Sequence, residues 1–358
     1  MKSLFFITLV FIGCMFACLS ENTYVSDGNN YLNKEVHFHN PILPSGADPW
    51  VIYNDGHYFY MQTMGNKIEL WETIDLTRLN EGKHKVIWYP PNSTLYSKDI
   101  WAPEIHYIDG RWYVYFAADD GNNNLHRIYV LENISPDPME GKWQLLGKVS
   151  DSSDKWAIDP TVFVYNQTKY LIWSGWEDDK NGEQDIYIAK MKNPWTIEGK
   201  RVRISSPVYS WERHGTLADN NPPYVYVNEG PEILMHKGKI FLVYSASGCW
   251  TDNYCLGMLE LVDPDHILDS ASWKKYPYPV LTTSIYHHVY APGHCSFFKS
   301  PDQTEDWIVY HANSQPGAGC GKARSPRMQR FSWFSDGTPD FGEPVSTDSL
   351  LPLPSGTK

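Results

Sequence analysis

Three acidic residues stand in similar company along this chain. Asp48 lies in "ADPWV", Asp159 in "AIDPTVF" and Glu229 in "VNEGPEI". In each case a proline follows directly or after one glycine, and an apolar run begins. A single Asp-Pro pair is most often a turn or strand-start residue, but three acids at matching points of a repeat are not expected by chance. Carboxylates gathered in a partly dry pocket cannot all ionise independently, so one keeps its proton near neutral pH while another stays charged. The first can protonate a leaving group and the second can take a proton from water. Hydrolysis of a glycosidic bond requires that pair.

These acids open a hairpin that recurs five times. The versions are "ADPWVIYNDGHYFYMQT" from Ala47, "WAPEIHYIDGRWYVYFAA" from Trp101, "IDPTVFVYNQTKYLIWSG" from Ile158, "NEGPEILMHKGKIFLVYSAS" from Asn228 and "APGHCSFFKSPDQTEDWIVYHA" from Ala291. Each has a proline near its start, an apolar strand, a polar turn, and a second strand rich in aromatic and β-branched residues. Further short strands lie between them: "KIELWET", "HRIYVLE", "DIYIAKM", "CLGMLEL" and "MQRFSWF". Helical periodicity is scarce. Five units of about four strands predict an all-β, five-bladed β-propeller rather than a long β-sandwich. One catalytic domain is expected over residues 40–350, after a leader (1–20) and an N-terminal segment (21–39). Innermost strands of a propeller start around one mouth of the axial channel. Asp48, Glu104 or a neighbour, Asp159, Glu229 and His294 are therefore expected to converge there.

Bulk properties bound the partners. The apolar N-terminus is too short to span a membrane and reads as a signal peptide. Cys18, or less well Cys14, offers a lipidation point, so the expected location is secreted, or cell-surface or periplasmic as a lipoprotein. A net charge of −12 without a basic run argues against nucleic acid and anionic lipid. With 15 Trp, 24 Tyr and 14 Phe, aromatic faces are plentiful, which suits a neutral sugar ligand. No protein partner is implied. Cys249, Cys255, Cys295 and Cys320 form no zinc motif. Cys249 and Cys255 flank the turn-like "WTDNY" and are a candidate disulfide pair in an exported chain, with the pairing left open.

Taken in order, "ADPWV", "WAPEIHYIDGRWYVYFAA", "AIDPTVF", "VNEGPEI" and "GHCSFF" resemble glycoside hydrolase family 43, from about Asn40 to Pro344. "WAPEIHYIDGRWYVYFAADDG" and "YVNEGPEILMHKGKIFLVYSASGCWTDNYCLG" are most similar to its α-L-arabinofuranosidase branch; other branches act on xylosides, arabinans or galactans. The resemblance implies an inverting enzyme that needs no cofactor for its chemistry and acts on plant-type oligo- or polysaccharide. It implies Asp48 as general base, Glu229 as general acid and Asp159 as the acid that tunes and orients Glu229. In "GKARSPRMQRF" the substrate-binding arginine matches Arg324, with Arg327 the second choice. His294 is the expected ligand, direct or through water, of a calcium ion in the channel. Trp101 is expected to stack on the sugar, and the connections after Gly65, Trp195 and Trp250 to wall the pocket. A lectin-like propeller would account for the aromatics but not for the acids. A metal-dependent hydrolase would need more ligands than His294.

Overall fold

A computed structural model describes residues 37–358. The leader expected at 1–20, its cysteines, and residues 21–36 lie outside the described residues. Local turn chemistry sets the hairpins. Asp55-Gly56, Asp109-Gly110, Asn166-Gln167 and Lys237-Gly238 all have positive φ at both positions, and each is the two-residue link of an innermost hairpin. That backbone twist matches the twist of the flanking strands, so two residues suffice. The fifth hairpin uses a longer link, 300–305.

Each hairpin continues into an antiparallel blade. Blade 1 comprises Trp50–Asn54, His57–Met61, Ile68–Thr73 and Lys83–Trp88. Blade 2 comprises Lys98–Ile108, Arg111–Asp119, Arg127–Asn133 and Gln144–Val149. Blade 3 comprises Ala157–Tyr165, Thr168–Gly175, Glu183–Asn193 and Thr196–Ser205. Blade 4 comprises Tyr226–His236, Lys239–Ala246, Cys255–Leu261 and Trp273–Lys275, and blade 5 comprises Tyr290–Lys299, Asp306–Asn313, Ser325–Trp333 and Pro339–Asp340. A short parallel contact, Glu183 and Gln184 with Tyr226 and Val227, joins blades 3 and 4. His37–Phe38 pairs with Leu351–Pro352, bringing the two ends of the described chain together. The fold is a five-bladed propeller, and the described residues form one compact unit. Among the described residues no helix is long and apolar enough to cross a membrane.

Both faces of every blade are covered, so the strands read as continuous apolar runs such as "YVYFAA". The core sits between neighbouring blades. Phe59, Ile68, Trp112 and Phe116 fill the gap between blades 1 and 2; Ile172, Ile188, Leu242 and Leu259 fill that between blades 3 and 4. Tyr58, Tyr60, Trp307 and Met328 join blade 1 to blade 5. The aromatic richness is thus spent largely on packing: Trp112, Trp176, Trp307, Tyr58, Tyr60 and Tyr115 are all fully buried.

One irregularity recurs in every innermost strand. Asp48, Ala102, Asp159, Gly230 and His294 all have φ between 43° and 57°. Four of the ladders shift register around these residues, as a β-bulge does. Proline follows four of the five, and the residue before proline is normally extended, so this geometry is strained at the non-glycine positions. The equivalence corrects two expectations. In blade 2 the matching residue is Ala102, and Glu104 lies two residues deeper, buried against His106 at 3.0 Å and next to Glu232. In blade 4 the matching residue is Gly230, with the acid one step before it. A Cβ at Gly230 would stand 3.1 Å from the His294 ring, so glycine is needed there on two counts.

The candidate Cys249–Cys255 bridge is not formed. Cys249 is bonded to Cys320, with Cα atoms 5.2 Å apart. Cys255 starts the third strand of blade 4, where it pairs with Ala246 and its thiol packs into the core between blades 3 and 4. Cys249 instead sits in the preceding loop, which meets the loop of blade 5. The bridge closes 71 residues of chain, for which loop entropy gives about 4 kcal/mol. The double variant Cys249→Ser/Cys320→Ser should lose up to that amount in denaturant unfolding under oxidising conditions, whereas Cys255→Ser should leave the bridge intact by non-reducing peptide mapping.

Candidate active site

The strained bulges leave backbone N–H groups outside the ladders, and side chains from neighbouring blades collect them. Asp48 N–H donates to His311 Nδ1 (3.1 Å), Ala102 N–H to Thr63 Oγ1 (2.7 Å), Gly230 N–H to Asp159 Oδ2 (3.0 Å) and His294 N–H to Ser245 Oγ (2.7 Å). The bulges aim Asp48, Asp159 and His294 into one pocket of about 440 Å³, and Glu229 enters beside Gly230. Arg324, Trp101, Thr63, Trp156, Trp250 and both bridged cysteines complete much of the wall. The six residues singled out from sequence therefore meet. A larger hollow of about 520 Å³, lined by 279–286 and 342–344, holds none of them. Of the three expected wall segments none supplies the wall: Trp250 itself lines the pocket beside Cys249, but no residue of the connection after it does, nor do residues next to Gly65 and Trp195.

Asp48 is built to stay ionised. Burial alone would push its pKa up, but His294 (Nδ1 3.2 Å from Oδ1), Arg324 (Nη1 3.4 Å), His311 and the Thr63 hydroxyl (2.6 Å to Oδ2) reverse this and hold it well below the usual carboxylate range. Burial also pushes both imidazoles down. His311 accepts from the Asp48 N–H at Nδ1, which places its proton on Nε2. Near neutral pH the charge holding Asp48 ionised is therefore that of Arg324, helped by the Thr63 hydrogen bond.

Glu229 is built differently. Burial raises its pKa, the Tyr254 hydroxyl lowers it by donating to Oε1 (2.8 Å), the Asp48 charge raises it and Arg324 lowers it, leaving a value of about 7. Asp48, rather than Asp159, is the neighbouring charge that pushes Glu229 up. Asp159 itself is raised well above the usual range by burial, Glu229 and Asp48, against the Gly230 N–H and Arg324. Three acids in three environments thus give one charged carboxylate, one group titrating near neutrality and one that keeps its proton.

Tyr254 was not singled out from sequence. Its ring is fully buried and lies parallel to His311, 5.7 Å away at 3°. A Cβ on Gly293 would fall 2.2 Å from that ring, so "APGHC" carries a glycine to admit it. That glycine was the available signal, but it points to Tyr254 only once the fold is known. Trp101 packs one face on His126 (4.1 Å, 26°), and His126 is held by Asp119 at 3.0 Å. Trp156 stacks on Trp176 at 4.6 Å. Arg327 does not reach the pocket: it is fully buried in the third strand of blade 5.

The expected calcium site is not shown by these residues. His294 Nδ1 is directed at Asp48 and, at 4.0 Å, at Asp159, as a hydrogen-bonding group would be. Among the described residues no group of three or more His, Cys, Asp or Glu is arranged to hold a metal ion. His294 is read here as an orienter of Asp48.

Comparisons with known proteins give the family. The profile of Glycosyl hydrolases family 43 matches residues 38–339. An extracellular exo-alpha-(1->5)-L-arabinofuranosidase of Streptomyces avermitilis is 38% identical over 327 residues, covering 89% of this chain and 66% of the relative. Alpha-L-arabinofuranosidase 43 of Humicola insolens is 36% identical, covering 87% and 64%. The chain thus spans just under two thirds of the length of these relatives. The crystal structure of an alpha-L-arabinofuranosidase from Lactobacillus brevis superposes with a TM-score of 0.80 at 35% identity, covering 87% of this chain and 98% of that one.

Removing the Tyr254 hydroxyl takes away a bond that favours the charged form of Glu229. Tyr254→Phe should therefore raise the Glu229 titration midpoint above about 7, and Asp48→Asn should lower it. Carbon-13 NMR titration of labelled glutamate side chains checks both directions.

Proposed function

This chain is a member of glycosyl hydrolases family 43, and from that premise we propose that it is a secreted, inverting α-L-arabinofuranosidase that releases terminal arabinofuranosyl units from arabinan or arabinose-decorated plant polysaccharide. The observation that carries this reading is the pairing of Asp48 and Glu229, oppositely disposed to ionise, on the wall of one 440 Å³ pocket. The names of the relatives supply the sugar and the extracellular location.

In this mechanism Glu229 is the general acid. Tyr254 occupies Oε1, which leaves Oε2 to carry the proton to the glycosidic oxygen. Asp48 is the general base: Thr63 and Arg324 fix its carboxylate and keep it charged while it draws a proton from water on the opposite face of the sugar. Inversion requires the two carboxyl groups to stand roughly 6.5–9.5 Å apart, with the water between. Asp159 holds the Gly230 N–H and through it the backbone that presents Glu229. Arg324 is available to sugar hydroxyls as well as to Asp48, and the pocket side of Trp101 offers a ring face to the sugar. These side chains supply every proton transfer, and no step is routed through a metal or cofactor. The Cys249–Cys320 bridge and Trp250 close one side of the pocket, which suits a chain end more than a chain interior.

The deciding measurement is kcat/KM on an aryl α-L-arabinofuranoside against an aryl β-D-xyloside. A ratio above one is expected, with the β-anomer of arabinose as first product by proton NMR; a ratio below one overturns the sugar, and an α-anomer overturns the inverting mechanism. Asp48→Asn and Glu229→Gln should each lose about 10²–10⁴-fold in turnover while remaining folded. Glu229 must be protonated to act, so activity should fall as pH rises through about 7. Asp48 must be charged, so the acid limb should lie below the ordinary carboxylate range.

A further inference from the structure

Arg327 has no part in the pocket, and its surroundings are unusual. The residue is fully buried, and of its guanidinium only Nη2 has a partner, the Ser314 hydroxyl at 2.7 Å; Nε and Nη1 are buried without one. It belongs to no ion pair among the described residues. The other fully buried charged groups are paired: Glu212 with Lys275 at 2.6 Å, Asp185 with Arg203 at 3.2 Å and Asp119 with His126 at 3.0 Å. The buried acids Glu104 and Glu232 can shed their charge by keeping a proton, as both do. Arginine has no such exit, since its guanidinium remains protonated in proteins.

The neighbours do not neutralise it. Arg327 lies opposite Tyr310 in the ladder and shares a strand face with Gln329. Tyr310 donates its hydroxyl to Gln329 Oε1 at 2.8 Å, and burial keeps the phenol neutral. Tyr310 also belongs to the apolar cluster between blades 4 and 5, with Leu256, Leu281 and Val289. A water molecule in such a place satisfies N–H groups but leaves the charge, and an unpaired buried charge costs several kcal/mol.

We propose that Arg327 is the seat of a small monovalent anion, chloride by class, bound to its unpartnered donors at the interface of blades 4 and 5. The complete enclosure of the guanidinium disfavours sulfate, phosphate or an organic carboxylate, which are larger. Ser314, which holds the third nitrogen, begins the segment that carries Cys320 and Arg324, so the anion underpins one wall of the pocket without touching the reaction. This site stands independently of which sugar the enzyme takes.

Crystals of the unaltered protein soaked in bromide should show an anomalous peak within hydrogen-bonding distance of Arg327 Nε or Nη1. In solution, raising chloride from about 1 mM to about 100 mM at constant ionic strength, with gluconate as the balancing anion, should raise Tm by about 2–3 °C. Arg327→Met should abolish that rise. A crystal without the peak overturns the proposal, whatever the melting data. So does a wild-type Tm indifferent to chloride, or a chloride effect that persists in Arg327→Met. If that variant does not fold, the bromide peak alone decides.

Discussion

The site depends on a left-handed residue at the head of each innermost strand. This kink turns a side chain out of the blade and toward the axis, and it releases one backbone N–H from the ladder. A buried N–H without a partner is costly, so each kink needs an acceptor nearby. The acceptors come in cyclic order: blade 5 supplies His311 to blade 1, blade 1 supplies Thr63 to blade 2, blade 3 supplies Asp159 to blade 4, and blade 4 supplies Ser245 to blade 5. At four of the five blade junctions the bonds that join the blades also hold the groups around the pocket. Asp159 shows the economy of this arrangement, because the carboxyl that satisfies a kink also lies against the acid that the kink presents.

Electrostatics then separates three chemically similar groups. All are largely withdrawn from water, which favours the neutral form of each. Arg324 is the asymmetric element: it contacts Asp48 directly and makes no such contact with the other two. Once Asp48 is charged, its field favours protonation of Glu229 and Asp159. The division of labour therefore follows from one guanidinium and two hydroxyls, those of Thr63 and Tyr254, rather than from intrinsic differences among carboxylic acids.

Much of this was legible in the residues. Asp48, Asp159 and Glu229 were marked by the Pro that follows each kink, and the two-residue turns by Asp-Gly and similar pairs. What escaped notice lies off the repeated innermost strand. Thr63 and Tyr254 follow second strands and His311 lies within one, where nothing repeats from blade to blade, so their approach to the acids exists only in three dimensions. The blade 2 position stayed open between Glu104 and a neighbour because the hairpins were aligned by residue type, whereas the structure aligns them by φ, and φ selects Ala102. The cysteine pairing failed for a related reason. Proximity along the chain favoured Cys255, but alternation within a strand turned that thiol into the core, and the true partner was 71 residues away.

The bridge between Cys249 and Cys320 lies on the pocket wall itself, not on the outer rim. Thiols of mesophilic chains stay reduced in the cytosol and are oxidised after export. For a secreted chain this means that the acids are in place before the two loops flanking them are fastened. On the secreted reading proposed above, completion of the pocket wall would be tied to the compartment the chain has reached, and a form kept in the cytosol would lack that fastening.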